Sequence, residues 1–307
     1  MRLIFLVLSI MLVGCTYNSA FYYPYKERAR GIEETQHTYN YKELRLPSGA
    51  GSQLHIRIYQ SPISESKGLV LHFHGNRGNL SVSRGKLGWL LDSGYDLVLF
   101  DYSGYGLSSG RPTPENTRHD ALAMLEYVAA YQAPHSSYRK IVWGTSLGGA
   151  ILADGYAVFS RQGEFDLIII ESAFHSYRRQ AEHAMSGFLL GRLMTWSIPL
   201  FVSDDYAPIY KAERISGSKA LFVHCIEDRV VPMEFGRRLF EKVQGPKYFW
   251  RAENCRHSRP FGEAFADRRK ALLAFLHSPE LVELMSRGGV CPQATLGESR
   301  LGSSRRR

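Results

Sequence analysis

Apolar and polar positions change rhythm along this chain, and each rhythm predicts an element. Residues 39–61 (YNYKELRLPSGAGSQLHIRIYQS) alternate with period two on either side of a Pro/Ser/Gly turn, the pattern of an antiparallel hairpin. Unbroken apolar runs then take turns with helical spacings. KGLVLHF leads to a helical pattern near 82–91, and YDLVLFD leads to PENTRHDALAMLEYVAAY, where Ala121, Met124, Leu125 and Val128 fall on one face. KIVWG and AILADGYAVF repeat the unit, FDLIII follows, and KALFVHC and KYFWRAE are each trailed by a helix. Strands apolar on both faces and separated by helices predict a mostly parallel sheet covered on both sides. The fold class is therefore α/β, one domain over 39–287 entered through an antiparallel hairpin.

The rhythm breaks once. Residues 173–216 form a helical insertion, too long for a simple crossover and too short for a domain, which we read as a small cap. Its stretch 187–202 carries one Arg192 and no acid, but Pro199 interrupts it, and it is too short to span a bilayer. Phe188, Leu189, Leu190, Leu193, Met194 and Trp196 are expected either to wall an acyl-binding site or to be the cap's own packing face. From about residue 288 periodicity is lost, and 288–307, ending in SSRRR, is expected to be a disordered basic tail.

The N-terminus changes the picture of where the chain works. MRLIFLVLSIMLVGC places Arg2 before an apolar run from Leu3 to Val13, the length of a secretory signal. The ending Leu12-Val13-Gly14-Cys15 resembles the bacterial lipobox. That resemblance implies a signal peptide over 1–14, lipidation of Cys15, attachment to a membrane of the cell envelope, and a lipid-anchored arm over 15–38. The arm's aromatics, Phe21, Tyr22, Tyr23 and Tyr25 among them, are expected to pack it onto the domain. Export implies an oxidising compartment, so a Cys225–Cys255 disulfide is conceivable if their strands are neighbours, though spacing alone does not decide it; Cys291 has no evident partner. With 38 Lys and Arg against 29 Asp and Glu the net charge is +9, spread along the chain. That suits an anionic lipid surface, and without a reading motif or a zinc spacing no nucleic-acid partner is expected.

The chemistry centres on RKIVWGTSLGGAIL. Gly144-Thr145-Ser146-Leu147-Gly148 fits G-x-S-x-G between a strand and a helix, a turn so sharp that its flanking positions must lack side chains. It aims the Ser146 hydroxyl out of the sheet beside a helix N-terminus, where the dipole favours negative charge. A serine needs a base, itself oriented by an acid. Past two later strands lie Asp228, in IEDRVVP, and His257, in NCRHSRP, in the chain order Ser, Asp, His and on the same rim of a parallel sheet. Glu171 and His175 also sit near that rim, whereas Glu227 should point away from it, and His72 and His224 read as core histidines. Two oxyanion-hole amides are expected, Leu147 N–H after the serine and Asn76 N–H in HFHGNRGN, with His74 a structural loop residue. DYSGYGLSSG lacks the third glycine of a dinucleotide fingerprint and reads as a rim loop.

Together, HGNRGN, DYSGYGLSSG, GTSLGG, EDRVVP and CRHS resemble the α/β-hydrolase superfamily across 39–279. The HGN-x-GN loop and short insertion are similar to the branch that includes the abhydrolase-domain depalmitoylases. The resemblance implies serine esterase or thioesterase chemistry on a small-molecule or lipid-like acyl substrate, with no cofactor and no metal. Two departures bear on substrate shape: Arg77 stands where a small residue is common, and NCRHSRP replaces a glycine-rich approach to the histidine. A serine peptidase and a membrane-anchored binding protein on the same fold are the rival readings.

Overall fold

Strand β3 (Gly68–Phe73) is buried at every residue and lies at the middle of the molecule. In the computed structural model, which describes residues 18, 21–26, 39–187, 189–277 and 293–294, it pairs in parallel with β4 (Tyr95–Phe100) on one side and β5 (Arg139–Thr145) on the other. From β5 the sheet continues in parallel through β6 (Leu167–Glu171), β7 (Lys219–Cys225) and β8 (Lys247–Ala252). Beyond β4 the predicted hairpin, β1 (Tyr41–Pro47) and β2 (Gln53–Tyr59), completes the edge in antiparallel sense. The order is β1-β2-β4-β3-β5-β6-β7-β8, so chain progress reverses at β3. Between the carboxyl ends of β3 and β5 the crossovers leave on opposite faces, which opens a crevice of the kind in which α/β proteins bind ligands.

Helices cover both faces. Thr113 caps α3 (Pro114–Ala129), its hydroxyl accepting from Asn116 N at 3.1 Å, with Pro114 in the first turn where no amide partner is lost. That helix packs beside α4 (Leu147–Val158) over the core that holds Phe73, Phe100 and Phe222. On the other face, α1 (Leu80–Leu87), α2 (Trp89–Asp92) and α9 (Ala266–His277) enclose Trp143, Trp250 and Phe261. The single helix expected near 82–91 is two: Asn79 caps it early, accepting from Val82 N, and it breaks at Gly88. The insertion forms α5 (Tyr177–Ser186), α6 (Leu189–Met194) and α7 (Ile198–Phe201), and α8 (Met233–Lys242) follows β7. Gln293–Ala294, in the stretch expected to lack structure, adds to β8 as a two-residue antiparallel strand β9. Among the described residues no helix is long and apolar enough to cross a membrane.

The β5-to-α4 turn brings helix and strand backbones into close approach. A side chain on Gly148 would meet the backbone oxygens of Phe73 and His74, and one on Gly144 would sit 2.7 Å from Gly149 Cα. Backbone cannot yield as a flexible side chain can. Replacing Gly148 with Ala is therefore expected to destabilise by at least ~3 kcal/mol, the upper end of ordinary overpacking. Urea unfolding of wild type and Gly148→Ala measures it.

Candidate active site

Ser146 occupies this turn at φ 56° and ψ −121°, a left-handed conformation that costs a non-glycine residue energy. The turn is held open from three sides. Ser146 N donates to Glu171 O at 2.8 Å, its carbonyl receives Gly149 N at 2.9 Å, and the β3 backbone abuts Gly148. The hydroxyl is thereby presented at the switch point, half-buried, at the first turn of α4.

The three residues expected to work together do meet. His257 Nε2 lies 2.9 Å from Ser146 Oγ, and His257 Nδ1 lies 2.7 Å from Asp228 Oδ2. Asp228 sits past the end of β7, its other oxygen accepting the Val230 and Val231 amides at 2.9 Å each. Burial by itself would raise this carboxyl. Hydrogen bonds from His224 and His257, the latter's charge and the Val231 amide outweigh it and hold Asp228 well below the usual carboxylate range. An ionised acceptor against Nδ1 selects the tautomer that carries its proton there, leaving Nε2 to accept from the serine. His224 is buried, with Nε2 2.8 Å from Val231 O and 3.5 Å from Asp228 Oδ2. It is a satisfied core histidine, as read, but one that also steadies the acid.

The rival candidates are engaged elsewhere. Glu171 is fully buried and forms an ion pair with Lys86 at 2.6 Å while accepting from Trp143 Nε1 at 2.9 Å. Thr145 extends this network to His72 at 3.0 Å, and His72 to Ser83 at 2.9 Å. Burial, only partly offset by Glu171, draws the Lys86 ammonium down from its ordinary value. Glu227 is exposed. His175 is buried against Phe235, and burial together with Arg238 pulls it down to about 4. His74 is buried under Tyr102 and Tyr105, with Nδ1 2.8 Å from Gly75 O, consistent with a structural role.

Leu147 begins α4, so its amide has no acceptor within the helix. The loop after β3 passes beside it: a side chain at Gly75 would lie 3.6 Å from Ser146 Cβ. Asn76 follows, and here the sequence reading missed a contact. Its Oδ1 accepts from Tyr23 N at 2.6 Å and from Tyr105 Oη at 3.3 Å. Tyr23 belongs to the N-terminal arm, whose Tyr22 hydroxyl lies 3.1 Å from Thr117 Oγ1 and 3.0 Å from Tyr177 Oη, and whose Phe21 packs on Phe174 and Tyr177. The arm does pack onto the domain, although Tyr23 is itself exposed. Arg77 turns outward onto the Tyr23 ring, 5.3 Å away.

The histidine loop also departs from expectation in an informative way. Asn254 and Ser258, on either side of His257, both take positive φ, 51° and 55°. They adopt the conformation a glycine-rich approach would supply, Asn being among the residues that tolerate it best. Cys255 in that loop is joined to Cys225 at the end of β7, Cα atoms 5.5 Å apart. The bond links the loop of the acid to the loop of the histidine. Cys15 and Cys291 lie outside the described residues.

Residues 68–191 match the family model described as the alpha/beta hydrolase fold. An esterase of Pyrococcus furiosus, Pf2001, superposes with TM-score 0.62 over 87% of this chain and 98% of its own at 17% identity, which speaks for the fold. The family model and the structural neighbour agree that this chain has the α/β-hydrolase fold. The chain is also similar to the uncharacterized protein YfhR of Salmonella typhi, 28% identical over 68% of this chain and 71% of that one. A further relative is the lysophosphatidylserine lipase ABHD12 of Bos taurus, 29% identical over 74% of this chain and 57% of that protein.

A disulfide closing a loop of this size, 30 residues apart in sequence, contributes about 3.5 kcal/mol on chain-entropy grounds. Cys225→Ser with Cys255→Ser should lower the unfolding midpoint, with hydrolysis falling further than the folded fraction because the Asp228 and His257 loops are uncoupled. Parallel urea titration and ester assay test both parts.

Proposed function

We propose that this hydrolase cleaves carboxylic esters or thioesters of acyl groups through a covalent acyl-enzyme on Ser146. The observation that carries the reading is the continuous hydrogen-bonded line from Ser146 Oγ through His257 to Asp228, at 2.9 and 2.7 Å. His257 Nε2 takes the hydroxyl proton as Oγ attacks the carbonyl carbon. The oxygen's charge falls on the Leu147 and Asn76 amides, each such donor contributing about 3–4 kcal/mol to the transition state. Collapse breaks the bond to the leaving alkoxide or thiolate, which receives the proton from His257. Water, deprotonated by the same imidazole, then attacks the acyl carbon and releases the acid, regenerating Ser146. Asp228 stays ionised throughout and stabilises the imidazolium.

Support for esters comes from the relatives: a lysophosphatidylserine lipase in sequence and an esterase in fold. A lipid-like acyl substrate also suits the second part of the proposal, that Cys15 carries the lipid anchor of an envelope protein facing the periplasm. The thioester alternative rests on the HGN-x-GN resemblance alone.

Fluorophosphonate labelling of the full-length chain in detergent tests the mechanism. Wild type should label, and Ser146→Ala and His257→Ala should not. Asp228→Asn, which keeps the shape but favours the wrong histidine tautomer, should lose about 10⁴-fold in turnover of a nitrophenyl ester. A folded wild type that neither labels nor hydrolyses esters of any chain length would instead support a binding protein on this fold.

A further inference from the structure

Among the described residues, none covers the apolar face of the cap. Leu189, Leu190 and Leu193 of α6 are 77%, 65% and 67% exposed, and Trp196 and Leu200 beyond them are 74% and 57% exposed. Of the two expectations for these residues, an acyl-binding wall or the cap's own packing face, the exposure of Leu189, Leu190, Leu193, Met194 and Trp196 disagrees with the second. That face is made by Tyr177, Ile198 and Val202, which are buried, and Phe188 lies outside the described residues. In α6 the three leucines stand at positions i, i+1 and i+4, on one side of the helix. The turn Thr195–Ser197 joins them to α7 and packs against both helices. Soluble monomers rarely leave so many large apolar side chains together in water.

Two observations name the occupant. The first is where the N-terminal chain arrives. The Asn18 side chain, buried, donates to Ser203 O at 2.8 Å and accepts from Ser203 N at 2.9 Å, clamping the chain to the cap just past α7. Cys15 is three residues upstream, no more than about 11 Å away along extended chain, and the apolar run from Leu3 to Val13 lies directly before it. The second is charge. From His183 to Ser203 there is no acidic residue, and Arg192 is exposed among the leucines.

We propose that the α6–α7 face of the cap is seated in the acyl-chain boundary of an anionic phospholipid leaflet, beside the point where Asn18 fixes the N-terminal arm to the cap. Large aromatic and aliphatic side chains on one face of a short helix, with a basic residue to reach the headgroups, are what an interfacial contact requires. The contact holds whether or not Cys15 is lipidated and whether or not Ser146 is the nucleophile.

Trp196 is a native reporter, since Trp143 and Trp250 are buried and Trp89 is half-buried. The full-length chain is reconstituted into vesicles of phosphatidylcholine and phosphatidylglycerol, with and without bromine on the acyl chains. The expected result is a blue-shifted emission quenched by the brominated chains, absent from Trp196→Phe. Quenching should fall several-fold in Leu189→Ser with Leu193→Ser at unchanged far-UV circular dichroism. An unshifted Trp196 in the vesicle-bound chain overturns the proposal. So does a blue shift without bromine quenching, which would mean a second copy or the chain's own residues 3–13 cover the face. Quenching that the two serines leave unchanged overturns it as well.

Discussion

Everything at this site depends on how closely the first turn of α4 approaches the end of β3. Hydrogen at positions 144 and 148 lets helix and strand backbones touch, and the chain between them has then only one way to turn. That forces Ser146 into a left-handed backbone conformation and lifts its hydroxyl clear of the sheet. The strain is tolerated because the turn is over-determined by Glu171 O on one side and the β3 loop on the other. The same closeness brings the Gly75–Asn76 peptide region beside the serine, so the proposed nucleophile and the proposed amide donors are placed by one packing contact.

The polar groups around that turn are sorted by what they can satisfy. Glu171 sits one residue past the nearest apolar run and, in sequence, rivals Asp228 as an acid. In three dimensions its two oxygens are taken by Lys86 and Trp143. Removing Lys86 would leave the buried Glu171 charge unmatched, a cost that keeps the pair intact and Glu171 away from His257. Asp228 is buried too, but two backbone amides satisfy one oxygen and leave the other free to face the imidazole. The difference between a structural acid and one that can orient a base is thus a difference in remaining hydrogen-bond capacity.

The N-terminal arm ties the cap to the loop after β3. Asn18 holds Ser203, Tyr22 bridges Thr117 and Tyr177, and Tyr23 N reaches the Asn76 side chain. An arm whose main task looks like tethering therefore also fixes the residue whose amide we assign to the oxyanion. Movement of the arm relative to the domain would be felt at Asn76 before it was felt at Ser146.

Local constraint explains what could be read from residues alone. Unbroken apolar strands, period-two alternation in the hairpin, a capping Thr113 before Pro114, and the glycine pair around Ser146 are short-range requirements written in the order of residues. With them came the fold class, the rim that bears Ser146, Asp228 and His257, and the placing of His74 in the loop after β3. Pairing across the chain was not written there. That Cys225 and Cys255 are neighbours follows from β7 lying beside β8; that Asn76 is held by Tyr23 follows from where an arm fifty residues earlier comes to rest. The apolar run of the cap predicts burial by composition, yet its helices have no remaining core to cover, and only the packed structure decides that those leucines face outward. Periodicity records which side of an element is apolar; what that side meets is settled when all the elements compete for the same interior.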